Sequence, residues 1–252
     1  MLLFVKRQKI LLQTKVKVQI EKRILRNLMK HFIKMDRIRN KELMLVITLG
    51  ITIFTLLLFH GGRGPILGNL DIAMFRVINR EMQNPILNNL AAMASHIGTK
   101  DIYILMLSIF IILIVSMVRH KKEMRKLGMS LLIALLVSVM IVYPLKASFG
   151  ISRPYFYLSD THVYCNGEWH NIEESLSHGD KRNSFPSGHA SRVFAVLGVF
   201  WMYKRLRIPL FMFFFMMSFF IVYVGSHYVS DIIMGSTIGF MVGYLVQENM
   251  IL

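Results

Sequence analysis

Three short stretches of the sequence combine cations, histidines and an aspartate at spacings that suit phosphate chemistry. They are KASFGISRP at 146–154, PSGH at 186–189 and HYVSD at 227–231. Lys146 and Arg153 are cationic donors for phosphoryl oxygens, Arg through its planar fork and Lys as a compact charge. Gly188 lets the backbone approach an anion closely, and a helix beginning at 187–190 would direct free N–H groups at it. The first two stretches therefore predict a phosphate site.

The histidines of these stretches supply reactive groups for such a site. An imidazole with a pKa near ~6.5 can attack phosphorus when it is neutral or protonate a departing oxygen when it is charged. His189 and His227 could divide these two roles between them. Asp231 lies four residues after His227, so on a helix it would share that face and could hold one ring nitrogen protonated while freeing the other. The set predicts phosphoryl transfer by histidine.

Six apolar blocks predict the elements that hold these residues. Apolar residues make up 54% of the chain, against roughly 45–50% in ordinary soluble proteins. The blocks are Leu43–Phe59, Ile102–Val118, Leu127–Leu145, Ala190–Tyr203, Pro209–Ser226 and Val229–Val246. Several approach the roughly 20 residues that cross a bilayer, whereas buried helices of a soluble protein would give blocks of about 10–14. The predicted fold class is all-α, a polytopic membrane protein with a bundle of six transmembrane helices.

The distribution of Lys and Arg predicts the orientation of this bundle. Thirteen lie in residues 1–42, five in 119–126 and three in 204–207. Because positively charged loops stay on the cytoplasmic side, the N-terminus is predicted to be cytoplasmic. The segments predicted to face outside are 60–101, 147–188 and 226–228. The protein is therefore expected in the cell membrane as a multi-pass protein, with its phosphate site facing outside.

Two segments flank the predicted spans. Residues 1–42 form a basic N-terminal segment, followed by a membrane domain at 43–252. In VQIEKRILRNLMKHFIKM apolar residues recur every three or four positions between basic ones, which indicates an amphipathic helix. This helix could bind anionic inner-leaflet lipids, at about 1 kcal/mol per cation, or act only as a topology anchor. Residues 60–101 are too polar to span and predict interfacial helices between spans one and two, interrupted at Pro85.

The three motifs, taken in order, resemble those of the type 2 phosphatidic acid phosphatase superfamily, integral-membrane lipid phosphatases related in core to vanadium haloperoxidases. The resemblance covers roughly residues 43–246. It implies that His227 is the nucleophile that forms a phosphohistidine, that Asp231 orients it, and that His189 is the general acid. The phosphoryl ligands that it implies are Lys146, Arg153, Ser187 and the amide of Gly188. It implies no metal and no cofactor.

One position departs from the family's pattern. The third motif usually carries an arginine six residues before the histidine, where this chain has Ile221. Losing one preorganised donor costs roughly 10²–10³ in rate. Arg192, three residues after His189 on the same predicted helical face, could replace that cation. PSGHASR is similar to the motif of some polyisoprenoid-diphosphate phosphatases of this family. Arg192 could instead extend to the lipid headgroups.

The predicted function is hydrolysis of a lipid phosphomonoester or diphosphate, either of the phosphatidate type or a polyisoprenyl diphosphate. A lipid phosphotransferase with the same chemistry and a non-catalytic membrane relative are the alternatives. Ionisable groups in a costly place argue against the non-catalytic relative. The predicted partners are the substrate lipid and membrane lipids, with no nucleic acid, and the sequence does not indicate an oligomeric state.

Three further histidines lie in the stretch 155–183. His162, His170 and His178 are spaced eight residues apart, which fits no compact metal-ligand motif. A solvated loop that shapes the substrate entrance is therefore favoured over a metal site there.

Overall fold

The structure is a computed structural model that describes residues 65–99, 101–165, 167–172 and 183–251. The helices are α1 Asn69–Arg76, α2 Pro85–Thr99, α3 Asp101–Val118, α4 Lys122–Phe149, α5 Pro154–Tyr157, α6 Gly188–Phe200, α7 Arg207–Tyr223 and α8 Val229–Ile251. A π-helical segment, Val77–Glu81, continues α1, and two strands follow α5. The basic segment 1–42, with its predicted amphipathic helix, and the predicted first span Leu43–Phe59 lie outside the described residues.

Five of the helices correspond to the predicted spans two to six. They are α3, α4, α6, α7 and α8. Within the described residues, α4 and the Val229–Met250 part of α8 are the two helices long and apolar enough to cross a membrane. Apolar but shorter helical stretches are Leu107–Val118, Gly188–Phe200 and Arg207–Tyr223. The fold is mostly helical and of the membrane type, while the count of six spans stays a prediction.

The closest packing between helices joins α6 and α8. Its contacts pair Gly235 with Ser187, Gly239 with Ser191 and Gly243 with Ala195. A Cβ placed on Gly239 would lie only 1.9 Å from the carbonyl oxygen of Ser191, so the two backbones touch. We call the three glycines of α8 the glycine stripe; small residues four apart permit this approach in membrane helices. Both partners advance by four residues together, so α6 and α8 run parallel and begin at the same end.

Helix α4 packs against both α6 and α8 and runs in the opposite direction. Its last turns lie beside the start of α6, because Lys146 Cε would be 3.7 Å from a Cβ on Gly188. The helix stops at Gly150, a left-handed residue (φ 60°, ψ 28°) whose N–H donates to the carbonyl of Lys146 at 3.2 Å. The end of α4 and the starts of α6 and α8 therefore meet, and we call this the motif end of the bundle.

The stretch predicted to form interfacial helices contains α1, the π-helical segment and α2. Pro85 interrupts it as expected and is the first residue of α2, where its missing N–H is not needed. Helix α1 packs on the motif end: the ring of Phe75 meets that of Tyr228 edge-on, with 5.7 Å between centroids. Both side chains are buried.

The prediction of an all-α fold missed a β-hairpin within the 155–183 stretch. Strands β1, Thr161–Cys165, and β2, Glu168–Ile172, pair antiparallel. An isolated two-stranded hairpin is marginally stable, and this one is anchored from outside by the buried Asn79. The amide of Asn79 donates to the carbonyls of His162 (2.7 Å) and Tyr223 (2.8 Å), and its oxygen accepts the His162 N–H (3.0 Å). The hairpin depends on a residue 83 positions away, which a local pattern does not reveal.

Candidate active site

The start of α8 carries a buried histidine–aspartate pair. Asp231 Oδ2 lies 3.1 Å from His227 Nδ1, and the two side chains are 1% and 2% exposed. The same oxygen accepts the backbone N–H of Tyr228 at 2.8 Å and the hydroxyl of Ser184 at 2.5 Å. His227 precedes the first residue of α8, yet the four-residue spacing still brings ring and carboxylate together. The Tyr228 N–H and the Ser184 hydroxyl thus hold the Asp231 carboxylate in place, and the carboxylate in turn orients the imidazole of His227.

This pairing determines which nitrogen of His227 is available for chemistry. A carboxylate only accepts hydrogen bonds, so Nδ1 carries the proton and Nε2 keeps its lone pair. Burial holds the pKa of His227 well below its usual value, and the positive charges of Arg153, Lys146 and His189 lower it further. A neutral imidazole at neutral pH, with Nε2 unprotonated, can act as a nucleophile.

Ser184 is a site residue that the sequence analysis missed. Its hydroxyl lies 3.4 Å from His227 Nδ1 in addition to its bond to Asp231. Its N–H donates to the carbonyl of Ile151 at 2.9 Å, and its own carbonyl accepts from Lys146 Nζ at 3.2 Å. The segment before α6 is therefore held between the end of α4 and the start of α8. A lone serine in a polar stretch has no periodicity, so only its position two residues before Pro186 could have drawn attention to it.

The start of α6 offers backbone donors. Ser187 is its N-cap: the hydroxyl accepts the Ala190 N–H at 3.4 Å, while the Ser187 N–H donates to the Asp231 carbonyl at 2.9 Å. Gly188 and His189 are the first two residues of the helix, where N–H groups have no partner within the helix. The N-termini of α6 and α8 lie at the same end, so both positive dipole ends are directed at this region.

Three cations surround these helix starts. A Cβ on Gly188 would lie 3.4 Å from Arg192 Nη1 and 3.7 Å from Lys146 Cε, so both side chains reach the glycine. Lys146 interacts electrostatically with Asp231, Arg153 and Arg192. Lys146 Nζ also donates to the carbonyl of Asn183 at 2.7 Å, which holds the ammonium group beside the start of α6. The position of Ile221 on α7 contributes no charge.

Two of the three further histidines lie on the hairpin. His162 stacks on Trp169, 4.8 Å between ring centroids, and its Nδ1 contacts Asn171 Oδ1. His170 pairs with Val163, the neighbour of His162, so the two histidines lie on opposite faces of the hairpin. Within the part of the chain that the structure describes, no three His, Cys, Asp or Glu side chains group as metal ligands. His178 lies outside the described residues.

The residues that the three motifs singled out lie at the motif end of the bundle. Residues 127–250 match the PAP2 superfamily. This range contains all three motifs, and the match identifies a PAP2 superfamily domain at residues 127–250. No curated protein matches the chain.

Two solved structures share the fold. LpxE from Aquifex aeolicus is 23% identical, with a TM-score of 0.54 over 71% of this chain and 95% of its own. A transmembrane PAP2-type phosphatidylglycerolphosphate phosphatase from Bacillus subtilis is 20% identical, with a TM-score of 0.59 over 80% of this chain and 94% of its own. At these identities the likeness concerns the architecture alone, and it spans almost the whole length of each of the two solved structures.

Proposed function

We propose that this protein is a membrane phosphatase that hydrolyses a lipid phosphate or diphosphate through a phosphohistidine on His227. The observation that carries the proposal is the buried His227–Asp231 pair beside three cations and two helix N-termini. The family supports a phosphatase. The Bacillus subtilis structure, which shares the fold, is described as a phosphatidylglycerolphosphate phosphatase.

The first chemical step divides the work between the two histidines. Nε2 of His227 forms a bond to phosphorus while the bond from phosphorus to the leaving oxygen breaks, and His189 gives its proton to that oxygen. The leaving oxygen is the ester oxygen of a lipid monophosphate or the bridging oxygen of a diphosphate. Asp231 stabilises the imidazolium that develops on His227. In the second step His189 takes a proton from water, the water oxygen bonds to phosphorus, and the bond to His227 breaks. Inorganic phosphate leaves, and both histidines return to their starting states.

The charge on the transferred phosphoryl group is met by the surrounding donors. Lys146 and Arg153 neutralise its oxygens together with the N–H groups at the start of α6, near Ser187 and Gly188. Arg192 supplies the cation that the family usually places where this chain has Ile221, because its guanidinium reaches Gly188. Protein cations thus do the stabilising in this scheme, and it requires neither a metal nor a cofactor.

The substrate is proposed to be a phosphatidate-type lipid or a polyisoprenyl diphosphate, bound at the outer face of the membrane. The basic segments at 119–126 and 204–207 support this orientation, because they lie between spans at the end opposite the motifs. Cys165 is the single cysteine of the chain and is exposed on the hairpin, so its labelling reports on the orientation of the protein in the membrane. In intact cells an impermeant maleimide should label Cys165, whereas a Lys122→Cys variant that also carries Cys165→Ser should be labelled only after permeabilisation. The reverse pattern would contradict the orientation.

The deciding experiment is phosphate release from a panel of lipid monophosphates and prenyl diphosphates in detergent. We expect release from at least one class, inhibition by vanadate, and the same rate with and without chelator. His227→Ala is the matched control, because it removes the nucleophile and leaves the cations. No release from any substrate by a well-folded protein would overturn the proposal. Phosphorylated acceptor alcohol in place of free phosphate would indicate the lipid phosphotransferase.

A further inference from the structure

Helix α1 carries a buried carboxylate that the proposed mechanism does not use. Asp71 is 0% exposed. Its Oδ1 accepts the backbone N–H of Ser230 at 3.0 Å, and its Oδ2 accepts the hydroxyl of the same serine. A buried carboxylate is costly unless it is hydrogen-bonded, and burial raises the pKa of Asp71 to about 6. The two partners are 159 positions apart in sequence, so this bond joins distant parts of the fold.

Ser230 is the second residue of α8 and lies in the sequence between the two catalytic candidates, His227 and Asp231. The first four N–H groups of a helix have no partner within it, and Asp71 satisfies that of Ser230. A negative charge there is also favourable to the positive end of the helix. Asp231 binds the N–H of Tyr228 in the same turn. Two carboxylates therefore fix the start of α8, one from within the helix and one from α1.

Apolar packing reinforces this contact. Phe75, one turn after Asp71 on α1, meets the ring of Tyr228 edge-on, and both are at most 1% exposed. Tyr228 lies between His227 and the serine that Asp71 binds. Helix α1 thus contacts the start of α8 at two adjacent points, one polar and one apolar.

The glycine stripe cannot provide this positioning by itself. Its first member is Gly235, which faces Ser187, whereas His227 precedes the helix by two residues and lies eight positions earlier. The stripe aligns the bodies of α6 and α8, while the turn that carries the nucleophile extends beyond it. That turn is held by the Ser187 N–H on the Asp231 carbonyl and by helix α1.

We propose that Asp71 is a positioning residue for the His227–Asp231 pair. Asp71 acts through Ser230 to hold the start of α8 so that the imidazole of His227 approaches phosphorus in line with the leaving oxygen. Asp71 itself touches neither substrate nor phosphoryl ligand. The inference rests on the proposed role of His227 as the nucleophile. A displacement of about 1 Å of a reacting group can cost roughly 10²-fold in rate, so a loosened first turn would slow the chemical step more than it would weaken phosphate binding.

The test compares three measurements on purified protein: kcat, inhibition by inorganic phosphate and inhibition by vanadate. Asp71→Ala should lower kcat by about 10- to 100-fold. Its phosphate inhibition constant should stay the same, because Lys146, Arg153 and the start of α6 are untouched. Its vanadate inhibition constant should rise about tenfold, because vanadate in the five-coordinate geometry needs His227 in line. A residue that serves only stability would change the amount of active enzyme and neither inhibition constant.

Two variants serve as controls. Asp71→Asn keeps an oxygen for the Ser230 N–H and offers an N–H to the Ser230 hydroxyl, so it should retain kcat within about threefold of wild type. Asn79→Ala removes another buried polar anchor of the same region, one that contacts the hairpin and α7 rather than α8. It should lower thermal stability while kcat per folded molecule and the vanadate constant stay unchanged.

The outcomes separate this inference from the proposed function. An active wild type together with an Asp71→Ala variant of unchanged kcat and vanadate constant overturns the positioning role alone. A folded wild type that neither releases phosphate nor binds vanadate overturns the role of His227 and this inference with it. If Asp71→Ala does not fold, Ser230→Ala decides, because it removes only the hydroxyl contact. That variant should lose about three- to tenfold in kcat at constant phosphate inhibition, and a wild-type kcat overturns the inference.

Discussion

The α6–α8 pair has two regions that hold the same helices together by opposite means. At the motif end, titratable and polar side chains make the contacts, as in the bond from His227 to Asp231. Further along, the glycine stripe brings the backbones together because side chains are absent. A substitution at the motif end is expected to remove one functional group and leave the fold intact. A substitution in the glycine stripe is expected to disturb the alignment of both helices. The difference indicates that residue type specifies the reaction, and close packing specifies where its groups meet.

The largest effect is expected from a side chain placed in the stripe. Gly239→Leu would drive carbon atoms into the Ser191 carbonyl, which lies 1.9 Å from the position of a Cβ. Backbone cannot move aside as a flexible side chain can, so we expect a loss of about 3 kcal/mol or more in stability. Thermal unfolding in detergent measures it, and activity should disappear with the fold.

The matched control for this variant is Thr237→Leu on the same helix. The Thr237 hydroxyl donates to the Ile233 carbonyl of its own helix, so the larger side chain should change the midpoint of unfolding little. A Gly239→Leu protein as stable as Thr237→Leu would show that the stripe does not align α6 and α8.

The next largest effect removes chemistry and leaves the fold. His227→Ala and His189→Ala should each abolish turnover, but only the loss of His227 should prevent a phosphorylated enzyme from being trapped, because His227 carries the phosphoryl group in the proposed mechanism. A rapid quench in alkaline detergent, followed by a denaturing gel at alkaline pH with substrate labelled in its phosphoryl group, measures the trapped species. Acid-labile phosphate on protein that lacks His227 would show that another residue is the nucleophile.

The contrast between the two regions also explains what could be predicted from the sequence. Short motifs such as PSGH at 186–189 are local and chemically distinctive, so they can be recognised from the sequence. The apolar blocks predicted several helix ends to within a few residues, for example Ile102–Val118 for the helix Asp101–Val118. Other ends were predicted less well: α8 begins at Val229 as predicted but continues to Ile251 past a buried Glu248, and α4 spans Lys122–Phe149 against a predicted Leu127–Leu145. Patterns within one segment were therefore the reliable ones.

Features that depend on distant partners were missed. Asp71 looks like an ordinary polar residue of an amphipathic helix, and its burial depends on Ser230. Ser184 can be recognised as a site residue only from the folded structure, where its hydroxyl donates to Asp231 at the start of α8. The glycine stripe was detectable in principle, since GSTIGFMVG at 235–243 repeats glycine every four residues, a spacing typical of closely packed membrane helices. The helix on the other side of that contact was not indicated by any local signal.

A smaller effect is expected from a change in one cation at the motif end. Arg192→Ala should lower kcat by roughly the 10²–10³ that one lost donor costs. Arg192→Lys should also impair turnover, because a point charge does not reproduce a bidentate fork. The effect should fall mainly on kcat if the contact strengthens in the transition state. Steady-state kinetics on the purified variants measures it.

The same position allows a rescue experiment. Ile221→Arg restores the residue usual in the family and should recover part of the activity lost in Arg192→Ala, provided that its side chain reaches the site. Near-normal kcat and kcat/KM in a folded Arg192→Ala protein would leave Lys146 and Arg153 as the cations that carry the phosphoryl charge.

The smallest effect is a pH dependence of stability that has opposite signs at two buried groups of the motif end. Burial lowers the pKa of His227, so its contribution to stability is full above pH ~6.5, its unfolded value, and falls as the pH drops towards its folded pKa. Burial raises the pKa of Asp71 to about 6, so its contribution is full below 3.8 and is lost as the pH rises through about 6. Between pH 5 and 7.5 the stability of wild type relative to His227→Gln should therefore rise with pH, while its stability relative to Asp71→Asn should fall. Each slope is limited to about 1.4 kcal/mol per pH unit for one group. Thermal unfolding of the three proteins in one detergent measures both differences. Two slopes of the same sign would contradict a folded-state pKa that lies below the unfolded value for His227 and above it for Asp71.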